Sequence, residues 1–118
     1  MATHNDTGNF GEQLAKKYLE NKGYKILETN YRYRKAEIDI IAIKDQTLAV
    51  VEVKTRSSSA YGLPQSFINQ KKIRLIMEAS NHYITTHQLD VNVSLDIISI
   101  ILTQPVTIEH IEHAYYPF

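Results

Sequence analysis

The apolar positions of this chain fall into two kinds of run. From Thr7 to Lys22 they recur at helical spacing, with Phe10, Leu14, Ala15, Tyr18 and Leu19 clustered on one face. Thr7 is a suitable N-cap and Gly23 a suitable residue just past the end. The run then changes character. Tyr24 to Tyr31 reads as a strand, Arg32 to Ala36 as a basic turn, and Glu37 to Ile43 as a strong strand rich in isoleucine. Lys44-Asp45-Gln46-Thr47 reads as a tight turn, followed by a valine-rich strand from Leu48 to Val53. Apolar residues this continuous are expected where helices cover both faces of a sheet.

The polar stretch from Thr55 to Leu63 interrupts the pattern, and Pro64 is suited to the first turn of a second helix. Ile68, Lys72, Leu75, Ile76, Ala79 and Tyr83 share one face of that helix, which ends near Tyr83 or Thr86. Asp90 to Leu102 is a further apolar strand. Gln104-Pro105 breaks it, and Val106 to Ile111 supplies an edge strand. The expected fold class is α/β in the order α-β-β-β-α-β-β: a central mixed sheet flanked by helices. A chain of 118 residues is the length of one domain, here residues 1–118.

Composition narrows the chemistry. With no cysteine, disulfides, thiolate metal sites and a cysteine nucleophile are excluded. The N-terminus has no basic cluster followed by an apolar run, and no apolar run approaches the roughly 18 residues of a membrane helix. The expectation is a soluble, cytoplasmic protein with no membrane partner. Thirteen basic and thirteen acidic residues cancel, so any DNA affinity is expected to be local and strongly salt-dependent.

The strongest chemical signal is the hairpin. If the turn has Asp45-Gln46 at its tip and no bulge, Lys44 faces Thr47, Asp39 faces Glu52 and Glu37 faces Lys54. Two carboxylates would then sit side by side in an apolar sheet, at a cost that a hard cation removes. Mg²⁺ (or Mn²⁺) binds through one or two carboxylates and keeps several waters. An adjacent Lys54 suits phosphodiester hydrolysis, which needs a cation for developing charge. The plainer reading is a salt bridge between neighbouring strands. Arg34 in the basic turn, beside Tyr31 and Tyr33, and Arg56 beyond Lys54 are candidate phosphate contacts or solvated surface residues. His110 and His113 have no zinc-ligand spacing and read as structural or surface residues.

Ala36-Glu37-Ile38-Asp39-Ile40-Ile41-Ala42 followed by Val51-Glu52-Val53-Lys54-Thr55-Arg56 resembles the YraN-like family UPF0102. That family is similar to the archaeal Holliday-junction resolvases and belongs to the restriction-endonuclease-like group. Gly11-Glu12, Gly23-Tyr24, Asn30-Tyr31-Arg32, Tyr61-Gly62, Leu95-Asp96-Ile97-Ile98 and Ala114-Tyr115 extend the likeness over nearly the whole chain. The resemblance implies a restriction-endonuclease-like fold. It implies that Asp39 and Glu52, with the main-chain carbonyl of Val53, hold the metal, that Lys54 is the catalytic lysine, and that Glu12 is an additional acid. Lys71 matches a family position and is the implied phosphate contact on the second helix. The sequence departs from the family pattern at Ala36, where Gly is usual, and at Ser94, where Arg is common. Two functions stay open: a metal-dependent endonuclease acting on DNA, branched or structured DNA included, and a binding module of the same fold without catalysis. A homodimer through the edge strand is a third, structural expectation.

Overall fold

In a computed structural model the backbone is described for residues 4–57 and 69–115, with side chains from Gly8 onward. Seven elements follow in the expected order: α1 (His4–Asn21), β1 (Lys25–Tyr33), β2 (Ala36–Lys44), β3 (Thr47–Arg56), α2 (Gln70–Thr86), β4 (Asn92–Ile101) and β5 (Thr107–Ile111). The strands form one sheet in the order β1-β2-β3-β4-β5. Only β3 and β4 pair in parallel, joined by the crossover that contains α2, and the other neighbours are antiparallel. This is the mixed, helix-flanked sheet of the restriction-endonuclease-like architecture.

Each face of the sheet carries one helix. On the first, Ala15 and Leu19 of α1 pack against Ile40, Ala42, Ala49, Val51, Ile98 and Ile100. On the second, Ile76, Ala79 and Tyr83 of α2 cover Ile38, Ile41, Leu48, Val50 and Leu95. Each fully buried Leu or Ile contributes about 1.5–3 kcal/mol. Being covered on both sides explains the unbroken apolar runs of β2, β3 and β4. Among the described residues, no helix is long and apolar enough to cross a membrane.

Several boundaries differ from the sequence reading. Helix α1 starts at His4, so Thr7 lies inside it instead of capping it. Phe10 is half exposed. The contact stripe of α1 runs instead through Gly11, Ala15 and Leu19, four residues apart, which lets the helix sit close to the sheet. Gly23, at φ +98°, ends α1 as expected. Its N–H bonds to the Glu20 carbonyl and that of Tyr24 to the Leu19 carbonyl, both at 3.0 Å, the pairing of a Schellman motif. Helix α2 starts at Gln70, with the Asn69 side chain accepting the Lys72 N–H at 2.9 Å as N-cap. Pro64, proposed above as the start of that helix, lies outside the described residues, as do Tyr61, Gly62 and Ile68. Strand β1 runs on to Tyr33, which shortens the basic turn to Arg34 and Lys35.

The close seat of α1 depends on Gly11. A Cβ there would lie 1.8 Å from Thr55 Oγ1 and 2.9 Å from Thr55 Cβ. Rotating Thr55 relieves the first overlap but not the second. Gly11→Ala is expected to destabilise the fold by about 1–3 kcal/mol, the overpacking cost outweighing alanine's better helix propensity. Urea denaturation measures it. Unchanged or improved stability would show that α1 is free to lift from β3.

Candidate metal and phosphodiester site

The β2–β3 hairpin begins as the sequence predicts. Lys44 pairs with Thr47 across the Asp45-Gln46 turn, and the ladder continues through Ile43↔Leu48, Ala42↔Ala49, Ile41↔Val50 and Ile40↔Val51. There it stops. Asp39 and Glu52, which an unbroken ladder would pair next, are not partners, and neither are Glu37 and Lys54. Instead the Asp39 side chain crosses the gap, and its Oδ2 accepts the Val53 N–H at 2.8 Å. The two strands open into a fork with Asp39 at its base.

The ladder on the other side of β2 is interrupted at the same place. Thr29 pairs with Ile40 and Tyr31 with Ile38, so Asn30 stands opposite Asp39, yet that pair is absent. Asn30 adopts φ 52°, a left-handed conformation that Asn tolerates better than most residues. The phase of β2 shifts here as well. Ile38 packs with the α2 cluster and Ile40 with the α1 cluster, although strict alternation would place both on one face. The Asp39 segment is therefore released from both neighbours, which is what frees its carboxylate to reach into the fork.

The charges of Glu52, Glu12 and Glu37 act on Asp39 at this opening. Burial, then the nearby Glu52 charge, pushes the Asp39 carboxyl up to about 7, against the opposing pull of the Val53 N–H; Glu12 and Glu37 raise it further. Glu12 on α1 is also raised, mainly by burial, while a hydrogen bond from Asn30 lowers it and Glu37 and Glu52 raise it. Glu52 is buried on the α2 face. Its Oε1 meets Lys72 Nζ at 2.9 Å and Lys54 Nζ at 3.5 Å. In a strand a residue's N–H and C=O leave on the same side. Since the Val53 N–H points at Asp39, its carbonyl also opens toward the fork.

Asp39 thus bonds to Val53, Glu52 meets Lys54 and Lys72, and Glu12 lies near enough to raise Asp39. The expected opposition of Glu37 and Lys54 does not occur. Glu37 pairs instead with Arg32 of β1, at 2.7 Å and largely in solvent, a pair worth little to stability. Arg34 occupies the β1–β2 turn at φ 55°, over the Tyr33 ring and 3.5 Å from Glu78. Arg56 is half-buried, with Nη2 3.4 Å from Ser99 Oγ of β4. Lys71 is exposed, and its neighbour Lys72 is the lysine that reaches Glu52. The sequence reading gives Asn30 no role in the site, and of the basic residues Lys71 and Lys72 it prefers Lys71. An Asn inside a strand was a signal for the first, because Asn favours positive φ. Lys72 already stood on the buried face of α2, beside Ile76 and Ala79.

The donor set suits a hard cation. Among the described residues no group of three or more His, Asp or Glu side chains gathers round one point. The fork offers two carboxylates and a carbonyl, all oxygen, which matches Mg²⁺ or Mn²⁺ with retained waters and not a zinc site.

Away from the fork, Ser94 and Asp96 form a second buried polar group. Ser94 Oγ donates to Asp96 Oδ1 and accepts the His113 N–H at 3.2 Å. Asp96 Oδ2 lies 2.7 Å from His110 Nε2, with both side chains 1% exposed. His110 is thus a core residue that ties β5 to β4, while His113 is exposed. Ser94, where the family commonly has Arg, serves as a local partner for Asp96.

Comparison with known proteins agrees with this architecture. The profile described as uncharacterised protein family UPF0102 matches residues 11–100. A UPF0102 protein of Flavobacterium psychrophilum is 50% identical over 119 residues, covering all of both chains. Another, from Christiangramia forsetii, is 51% identical over the same complete span. A third, from Alkaliphilus oremlandii, is 46% identical over 112 residues, 92% of this chain and 96% of its own. With a family match over residues 11–100 and relatives about half identical from end to end, this chain belongs to the UPF0102 family.

Proposed function

We propose that this chain is a metal-dependent endonuclease-like protein that hydrolyses phosphodiester bonds in DNA, with branched or structured DNA as its substrate class. The observation that carries this reading is the fork. Two ladders are broken around Asp39, whose half-buried carboxylate accepts the Val53 N–H and feels the charge of Glu52, itself 3.5 Å from Lys54. A fold stabilised for its own sake would close the sheet here or fill the gap with apolar side chains.

Asp39 and Glu52 would hold Mg²⁺ or Mn²⁺, with the Val53 carbonyl as a third oxygen. When bound, the ion supplies Lewis acidity and lowers the pKa of a coordinated water. The chain's own groups do the rest. Lys54, 3.5 Å from Glu52, faces the same opening and supplies positive charge to the phosphate as it becomes more negative. Lys72 offsets the Glu52 charge from the α2 side. Glu12 would orient the attacking water or accept a proton from it. Arg34, Arg56 and Lys71 would serve as contacts to the phosphate backbone, which fix register without reading bases. Arg34 would leave Glu78 to do so, a low cost for a pair this exposed.

The test is a calorimetric titration of Mn²⁺ and Mg²⁺ into the wild type and an Asp39→Asn/Glu52→Gln variant, followed by cleavage assays on duplex and branched DNA. Cation binding that disappears in the variant, with cleavage requiring both carboxylates, is the expected result. DNA binding that persists in the variant, with no cation bound by the wild type at millimolar concentration, would favour the non-catalytic binding module instead.

A further inference from the structure

The Tyr115 hydroxyl is buried and has no hydrogen-bond partner among the described residues. A phenol offers one donor and two acceptors, and burying it unpaired is costly unless something meets it. Tyr115 stands in the segment after β5, anchored one residue earlier where the Ala114 N–H donates to the Leu95 carbonyl at 2.8 Å. Its ring packs with the α2-side cluster. It lines a cavity of about 10 Å³ shared with Glu52, Ile38, Val50, Ile76 and Leu95. That volume is close to the roughly 10–15 Å³ that admits one water.

Both lysines meet Glu52 on Oε1, and among the described residues no ion pair is made through Oε2. The Glu52 charge is one of the two causes that push the Tyr115 phenol up, after burial, so the two groups feel each other across this small space. The other carboxylate lining the cavity, Asp96, already accepts from Ser94, His110 and the His113 N–H. We propose that Tyr115 is a positioning residue of the fork: its hydroxyl donates through one ordered water to Glu52 and fixes the orientation of that carboxylate from the C-terminal segment. The assignment rests on the reading of Glu52 as a cation-holding carboxylate. Groups that orient a metal ligand in this way typically change cation affinity by 10- to 100-fold when removed.

Tyr115→Phe removes only the hydroxyl and keeps the ring in the core. In the full chain it is expected to weaken Mn²⁺ binding by about tenfold, read by calorimetry. A second measurement needs no metal: melting temperatures of the wild type, Tyr115→Phe, Glu52→Gln and the double variant. Linked groups give a double-variant shift that departs from the sum of the single shifts by about 2–4 °C. Additive shifts overturn the proposal, whatever the cation does. Coupled shifts with unchanged Mn²⁺ affinity overturn the positioning role. Coupled shifts in a chain whose wild type binds no Mn²⁺ uphold the Tyr115–Glu52 link while refuting the proposed function.

Discussion

Replacing Asp39 by Asn is expected to raise the stability of the cation-free protein at pH 8, while abolishing cation binding and lowering any DNA cleavage at least about 10²-fold. The two effects share one cause. Burial and the Glu52 charge hold the Asp39 carboxyl at about 7, against an ordinary value of 3.8. Between these values the folded chain binds more protons than the unfolded one, so stability falls as pH rises. Below about pH 4 the acid is protonated in both states and the fold bears no penalty. The penalty grows through the window from about pH 4 to 7 at up to about 1.4 kcal/mol per pH unit and is complete above it. Asn keeps an oxygen for the Val53 N–H and carries no charge. The melting temperature of Asp39→Asn should therefore match the wild type near pH 4. It should exceed it at pH 8 by roughly 10 °C, the equivalent of about 2–4 kcal/mol. Adding Mg²⁺ at pH 8 should raise the wild type toward the variant, by about 2.7 kcal/mol at a hundredfold excess over Kd, and leave the variant unmoved. Equal melting curves at both pH values would mean that Asp39 is well solvated and that the fork stores no electrostatic strain.

This trade of stability against a charged opening explains which parts of the molecule the sequence discloses. Where a segment serves only the core, its pattern suffices. The isoleucines and valines of β2 and β3 locate the hairpin and even its register, because Lys44, Asp45, Gln46 and Thr47 leave only one tight turn. Gly23 marks the end of α1 for a similar reason: φ +98° suits few other residues. Pattern fails where backbone geometry departs from the ideal. The fork needs two ladders to break at Asn30 and Asp39, and nothing in the alternation of side chains records a missing backbone pair. The turn sets Asp39 opposite Glu52 in an unbroken ladder; the break beyond Ile40 and Val51, which turns Asp39 to the Val53 N–H, is not legible there. Lys72 was hidden behind Lys71 because adjacent helix residues differ by about 100°, and only the crossing of α2 over β3 decides which one reaches Glu52. Phe10 was misplaced because spacing alone cannot say which edge of an apolar stripe meets the sheet. Here the small residues Gly11 and Ala15 bring α1 close and turn Phe10 outward.

Asp96→Ala is expected to be the most damaging substitution outside the fork, costing about 3–5 kcal/mol. The side chain is 1% exposed and accepts from the Ser94 hydroxyl, the His110 ring at 2.7 Å and the His113 N–H at 3.3 Å. The direction of the His110 bond follows from its other nitrogen. Lys22 Nζ lies 3.3 Å from Nδ1, and an ammonium can only donate. Nδ1 therefore accepts, and the Nε2 proton points at Asp96 Oδ2. Alanine takes an acceptor from three buried or half-buried donors, of which the His113 N–H keeps Ser94 Oγ at 3.2 Å, and opens a hole between β4 and β5. Asp96→Asn keeps one oxygen but turns an amide N–H toward the His110 N–H. Moving the imidazole proton to Nδ1 would only shift the conflict to Lys22. Its cost should be intermediate, about 1–3 kcal/mol. Urea titrations of the three proteins give the order directly: wild type, then Asn, then Ala. The pair also fixes β5 and the segment beyond it, where Ala114 bonds to the Leu95 carbonyl and Tyr115 reaches the Glu52 cavity. At temperatures where Asp96→Ala is still folded, its cation affinity should therefore fall toward that of Tyr115→Phe. A folded Asp96→Ala protein with full cation affinity would show that the fork holds its geometry without the C-terminal segment. Equal stability of all three proteins would mean that water reaches the three donors, and that the seam between β4 and β5 is open.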